Sequence, residues 1–136
     1  MDISCQIKGD VLDLEPTTEI NLLIKTEMEK LTLTGFKDKN LEVIGVEELH
    51  CIDNGLISLK TDATHIDCKY NKLTYLNSPN AKELYCPHNK LTELNLPRAT
   101  HIECWNNELT ELNTPKVAKI NCKYNKITKL NMPNAT

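Results

Sequence analysis

Cysteine recurs at positions 51, 68, 86, 104 and 122, each time two residues after Leu or Ile and three residues before Asn. The surrounding text recurs with it. AKELYCPHNKLTELNLPR is followed by ATHIECWNNELTELNTPK and VAKINCKYNKITKLNMPN, and preceded by ATHIDCKYNKLTYLNSPN and a looser VEELHCIDNGLISLKTD. A unit of about 18 residues cannot bury an apolar stripe alone, so successive copies must stack and share one core. Ala63, Ile66, Cys68, Leu73 and Leu76 supply that stripe in one copy, and Ala81, Leu84, Cys86, Leu91 and Leu94 supply it in the next. Alternation around Ile66-Asp67-Cys68 is the period-2 signature of a strand with one buried face. The expectation is one short parallel strand per turn, about 4.8 Å from its neighbour. Asn54, Asn71, Asn89, Asn107 and Asn125 end these strands, where an inward carboxamide can bond backbone groups that the turn leaves unpaired. The Pro-bearing segments 77–80, 95–98 and 113–116 are too short for helices. An extended or irregular convex side is therefore expected.

The pattern apolar-x-x-Leu/Ile-x-Cys-x-x-Asn-x-Leu-x-x-Leu resembles the leucine-rich repeat family, in the short Cys- and Pro-containing form of bacterial, phage and large-virus proteins. The resemblance covers residues 28–136. Its first turn, Met28, Leu31 and Leu33, departs from the pattern, because Phe36 stands where Asn is expected and a short insertion precedes Leu41 and Ile44. The resemblance implies a right-handed, mainly β repeat solenoid of about six turns over 28–136. It also implies a protein-binding role on the concave strand face, as an adaptor or an inhibitor of a host factor.

Residues 1–27 read as a small N-terminal cap. Ile3, Cys5 and Ile7 alternate, Lys8-Gly9-Asp10 is a turn signal, and Val11, Leu12 and Leu14 follow, a pattern that predicts a hairpin. After Pro16, the spacing of Ile20, Leu23, Ile24, Met28 and Leu31 predicts a short helix with Thr17 or Thr18 at its N-cap, in preference to a strand over 21–26. At the other end the repeat text stops at Asn134-Ala135-Thr136. The strand around 118–124 is then an open edge through which two chains could pair.

Six cysteines in 136 residues raise the question of disulfides or zinc. Side chains at one inward position of adjacent parallel strands run side by side, which suits a disulfide poorly, and there is no C-x-x-C pair of the kind zinc favours. The ladder thiols are expected to be reduced, buried and inert, with Cys5 outside the ladder. MDISCQIKGD lacks the basic start and apolar run of a signal peptide, and no later stretch is apolar enough to span a membrane. A reducing cytoplasm fits these features.

Residues 1–45 hold five Lys and nine Asp or Glu, and residues 46–136 hold eleven Lys or Arg and ten Asp or Glu, so neither half is a basic nucleic-acid binder. No Gly-rich phosphate loop, nucleophile elbow or H-E-x-x-H occurs, and no catalytic residue, cofactor or metal is assigned. Function is sought on the outward strand positions. Tyr70, Tyr85, Trp105 and Tyr124, with His50, His65, His88 and His101, all fall on or just after them. Tyr and Trp supply large rigid contact area, so these side chains read as anchors for a partner protein. Glu48, His65, Glu83, His101 and Lys119 form a row in which opposite charges are expected to pair laterally, and Asp67, Glu103 and Asn121 flank it. A metal held by His65, Glu83 and His101 is the competing reading of that row, and a solvated charge ladder is preferred. Two other roles compete with partner binding. One is self-assembly as a homodimer through the open edge strand. The other is single-stranded nucleic acid stacking on Tyr70, Trp105 and Tyr124, which net charge disfavours.

Overall fold

Leu31, Leu49, Ile66, Leu84, Ile102 and Ile120 lie in one row, each in Cα register with the next across a parallel strand pair. Two residues on, the cysteines form a second inward row. These rows, in a computed structural model describing residues 6–14 and 17–134, define one side of a β-solenoid. The described residues contain only strands as regular elements: β1 (Gln6–Lys8), β2 (Val11–Asp13), β3 (Asn21–Thr34), β4 (Asn40–His50), β5 (Ser58–Thr61), β6 (His65–Asp67) and β7 (Tyr75–Asn77). They continue as β8 (Glu83–Tyr85), β9 (Glu93–Asn95), β10 (His101–Glu103), β11 (Glu111–Asn113), β12 (Lys119–Asn121) and β13 (Lys129–Asn131).

The first column runs β2, β3, β4, β6, β8, β10, β12, all parallel, and makes about seven turns rather than six. β1 pairs antiparallel with β2 across a Gly9-Asp10 turn in which Gly9 has φ +63. Ile3, Cys5, Pro16 and the last two residues lie outside the described residues.

The opposite side of each turn is not irregular, which corrects the expectation of one strand per turn. The N-terminal half of β3 pairs with that of β4, and β5, β7, then β9, β11 and β13 continue this second column. The column is split once, because β7 does not pair with β9. Each short strand carries one central Leu: Leu59, Leu94 and Leu112 are buried, Leu76 is half-buried and Leu130, on the last strand, is exposed.

The helix expected after Pro16 is also absent: β3 occupies its place and runs through residue 27, where the cap was expected to end. The reason is burial at period 2. Leu22 and Ile24 are buried and lie opposite Leu41 and Val43, while Leu23 and Lys25, between and after them, face out. Ile20 and Leu23, which suggested helical spacing, remain exposed. Thr17 does accept a local bond from the Glu19 N–H (3.1 Å), but no helix follows it.

The core is a single apolar cluster along the solenoid axis, from Leu12 to Val117. Phe36, in the Asn position, is fully buried and its N–H donates to Asn54 Oδ1 (3.2 Å), so the carboxamide ladder begins one turn later than the strands.

Candidate functional site

Each turn leaves the first column by the same backbone device. The residue before the ladder Asn has positive φ: Asp53, Tyr70, His88, Asn106 and Tyr124 lie between +52 and +58, and Gly35 takes this place (φ +79) ahead of Phe36. The following Asn makes this bend affordable by bonding around it. Asn89 Oδ1 accepts from Leu73 N (3.0 Å), and its amide donates to the carbonyls of Cys68 (3.0 Å) and Cys86 (3.1 Å). Asn107 repeats the arrangement one turn later. The N–H of each bent residue reaches the next turn, from Tyr70 to Pro87 O (3.1 Å) and from His88 to Trp105 O (3.2 Å). Tyr70 and Tyr124 hold a left-handed conformation that Gly, Asn, Asp and His adopt more readily than other residues.

That backbone turns the ring side chains outward and stacks them. Tyr70 and His88 are stacked at 4.8 Å between ring centroids, His88 meets Trp105 edge-on at 4.5 Å, and Tyr85 tilts against His101 at 5.4 Å. Asn106 Nδ2 lies 2.6 Å from His88 Nδ1. Tyr124, one rung beyond Asn106, stands clear of this group and is 78 % exposed. Three of the four expected anchors, Tyr70, Tyr85 and Trp105, are therefore held among their neighbours.

The charged row has the expected register, Glu48, His65, Glu83, His101 and Lys119 on successive strands, and the structure adds Lys30 before it on β3. Its pairing differs from expectation. Only Lys30 to Glu48 (3.4 Å) is a lateral pair, and the other contacts run along a strand or just past it: His50 to Glu48, His101 to Glu103 (3.6 Å) and Lys69 to Asp67 (3.1 Å). Side chains two residues apart on a strand share a face and can meet without crossing to the next rung. His65 instead bonds Thr64 Oγ1 through Nδ1 (2.9 Å). The bond from His50, and then Lys30, holds the Glu48 carboxyl below its ordinary range. Glu48, His50, His65, Asp67, Glu83 and Tyr85 line a shallow cleft of about 220 Å³. Among the described residues no group of three His, Cys, Asp or Glu side chains is placed to hold a metal ion. Lys119 and Asn121 lie on β12, away from this cleft, with Lys119 exposed and Asn121 half-buried.

The inward face of the site is inert. Cys51, Cys68, Cys86 and Cys104 are buried, Cys122 is half-buried, and none of the five is in a disulfide. Contact with Cys51 and then burial raise the Cys68 thiol well above its ordinary value, burial does the same for Cys86, and burial takes Cys104 up to about 12. A thiolate nucleophile is therefore disfavoured here.

The second column carries a groove that sequence reasoning missed. It has a volume of about 780 Å³ and follows β7, β9, β11 and β13, with Tyr75, Asn77, Asn95 and Asn113 in its wall. Its signal was present as the triplets Tyr75-Leu76-Asn77, Glu93-Leu94-Asn95, Glu111-Leu112-Asn113 and Lys129-Leu130-Asn131. Each alternates outward, inward, outward, but a run of three residues reads as loop when taken singly.

No protein-family profile, curated protein or solved structure matches this chain.

Proposed function

We propose that the chain is a non-enzymatic module that binds a partner protein across the outward face of the first column. The observation that carries this reading is the ring group Tyr70, His88 and Trp105, joined along the face by Tyr85 and His101. Rings locked against one another lose little entropy on binding, and a rigid aromatic surface with polar edges is what protein hot spots use. Support also comes from the backbone. Tyr at the left-handed position of Tyr70 costs about 1 kcal/mol relative to Gly, a cost a purely structural turn has no reason to carry. The polar residues Glu48, Asp67, Glu83 and Glu103 around these rings would set specificity, and the resemblance to leucine-rich repeats points the same way. An adaptor or host-factor inhibitor acting in a reducing compartment is the biological form of this proposal.

The test is selection of binders from a displayed peptide and protein-domain library. Binders of the wild-type chain should be lost by Trp105→Ala with Tyr85→Ala and retained by Tyr75→Ala on the other face. Binders equally retained by both variants would reject this face, and selection of single-stranded RNA or DNA alone, with steep loss in salt, would replace a protein partner by nucleic acid.

A further inference from the structure

The groove on the second column is a separate surface with its own chemistry. Its outward rows are in register from β9 on, Glu93, Glu111 and Lys129 in one and Asn95, Asn113 and Asn131 in the other, with Leu94, Leu112 and Leu130 between them; Tyr75 and Asn77 of β7 lie across the split. Asn113 Nδ2 donates to Asn95 Oδ1 (2.9 Å), and Asn131 Nδ2 donates to Asn113 Oδ1 (2.7 Å). A carboxamide has two N–H groups and two lone pairs. The ladder uses one of each at Asn113, which leaves that side chain, in the groove wall, one donor and one acceptor. At the split between β7 and β9 the ladder stops, so Asn77 and the amide nitrogen of Asn95 carry no such bond.

We propose that this groove binds a linear, uncharged glycan lying along the solenoid axis. Four features select that ligand. A group able to use both the free donor and the free acceptor of Asn113 must itself donate and accept, as a hydroxyl does and a carboxylate or an ammonium does not. The rungs repeat about every 4.8 Å, so an extended polymer lying on this axis crosses the carboxamides of Asn95, Asn113 and Asn131 in succession. Tyr75, 52 % exposed at one end, and the prolines Pro79 and Pro97 offer apolar surface to the C–H faces of the rings. Charge is close to balanced, since Glu111 pairs with Lys129 (3.6 Å) and only Glu93 is left over, which gives a polyanion nothing to bind. An extended peptide fits less well. β11 is bonded on both sides, so its backbone cannot add a strand, and only side chains face the groove.

The experiment is a glycan array bearing linear neutral, branched and acidic saccharides, probed with the wild-type chain and three variants. Linear neutral glycans should be retained by wild type and by Trp105→Ala with Tyr85→Ala. Asn95→Ala with Asn113→Ala removes two hydrogen-bonding rungs and should weaken binding about ten-fold. Tyr75→Ala, at an exposed site, should weaken it too and keeps the test decisive if the double variant melts early. Capture of no glycan, capture of acidic glycans only, or loss of capture in the Trp105 variant instead would overturn the proposal. So would dissociation of an oligomer by the Asn substitutions in light scattering, which would make this face a contact between copies of the chain.

Discussion

At the scale of single residues, the cysteine and asparagine rows divide the work of the turn between them. The thiols fill a narrow apolar space, and the carboxamides satisfy the backbone around it. Because burial holds Cys104 protonated up to about pH 12 while an unfolded thiol titrates near about 8.5, the folded state binds more protons than the unfolded state between those values. Stability is therefore flat below about pH 8.5 and falls above it, by about 1.4 kcal/mol per pH unit for each such thiol. Urea unfolding at pH 7, 9 and 10 should show that decline, and Cys104→Ala should flatten it while costing some packing. A decline of unchanged slope in the variant would remove the thiol as its cause. The asparagines give a sharper prediction. Asn89→Ala leaves Leu73 N without its acceptor and removes one of two carboxamide bonds at each of the Cys68 and Cys86 carbonyls, which keep those from Asn71 and Asn107, a loss of about 2 kcal/mol in a buried site. Asn89→Asp should be no milder, because a carboxylate cannot donate to the two carbonyls. Loss of under about 1 kcal/mol in chemical denaturation would mean that water replaces the carboxamide.

At the scale of elements, the long strands β3 and β4 show how two columns can be continuous. Their register slips between Lys25 and Met28, opposite Gly45, whose φ is +87 and whose N–H donates to Asp62 Oδ1 (3.0 Å). A Cβ at this position would lie 1.7 Å from the Thr26 carbonyl oxygen, so Gly45→Ala requires the strands to separate. The expected cost is about 3 kcal/mol or more, since backbone overlap adds to positive-φ strain; a thermal melt within a few degrees of wild type would show that the slip is soft. Legibility follows the same division. Leu31, Leu49, Ile66 and the cysteines were readable because they repeat in one frame, and the outward ring and charge rows followed from them. Leu22 and Ile24 were misread because Ile20 and Leu23 happen to add helical spacing, and only pairing with Leu41 and Val43 decides the outcome. Lateral salt bridges failed as an expectation because His50 and Glu103 lie two residues along the strand from their partners, an equally short route that register alone does not rank. The second column stayed hidden because its strands are three residues long.

At the scale of the whole molecule, each turn touches only its neighbours, yet one apolar cluster runs through all of them. A solenoid of this kind is stabilised by interfaces between turns as much as by the turns themselves. Leu84 is fully buried on β8 with paired strands on both sides, β6 and β10. Leu84→Ala should thus weaken two interfaces at once, costing about 3 kcal/mol by lost burial and cavity formation. Ile120 occupies the same row on β12 but is only partly buried and packs against β10 alone among the described strands. Ile120→Ala should therefore cost less than half as much. The comparison by urea denaturation also reads cooperativity. If coupling between turns exceeds their individual stabilities, Leu84→Ala shifts a single sharp transition; if not, it splits the transition by separating the turns before β8 from those after it. Equal costs at the two positions would mean that stability is set turn by turn and that stacking contributes little, contrary to the continuous core that the cysteine, leucine and asparagine rows build together.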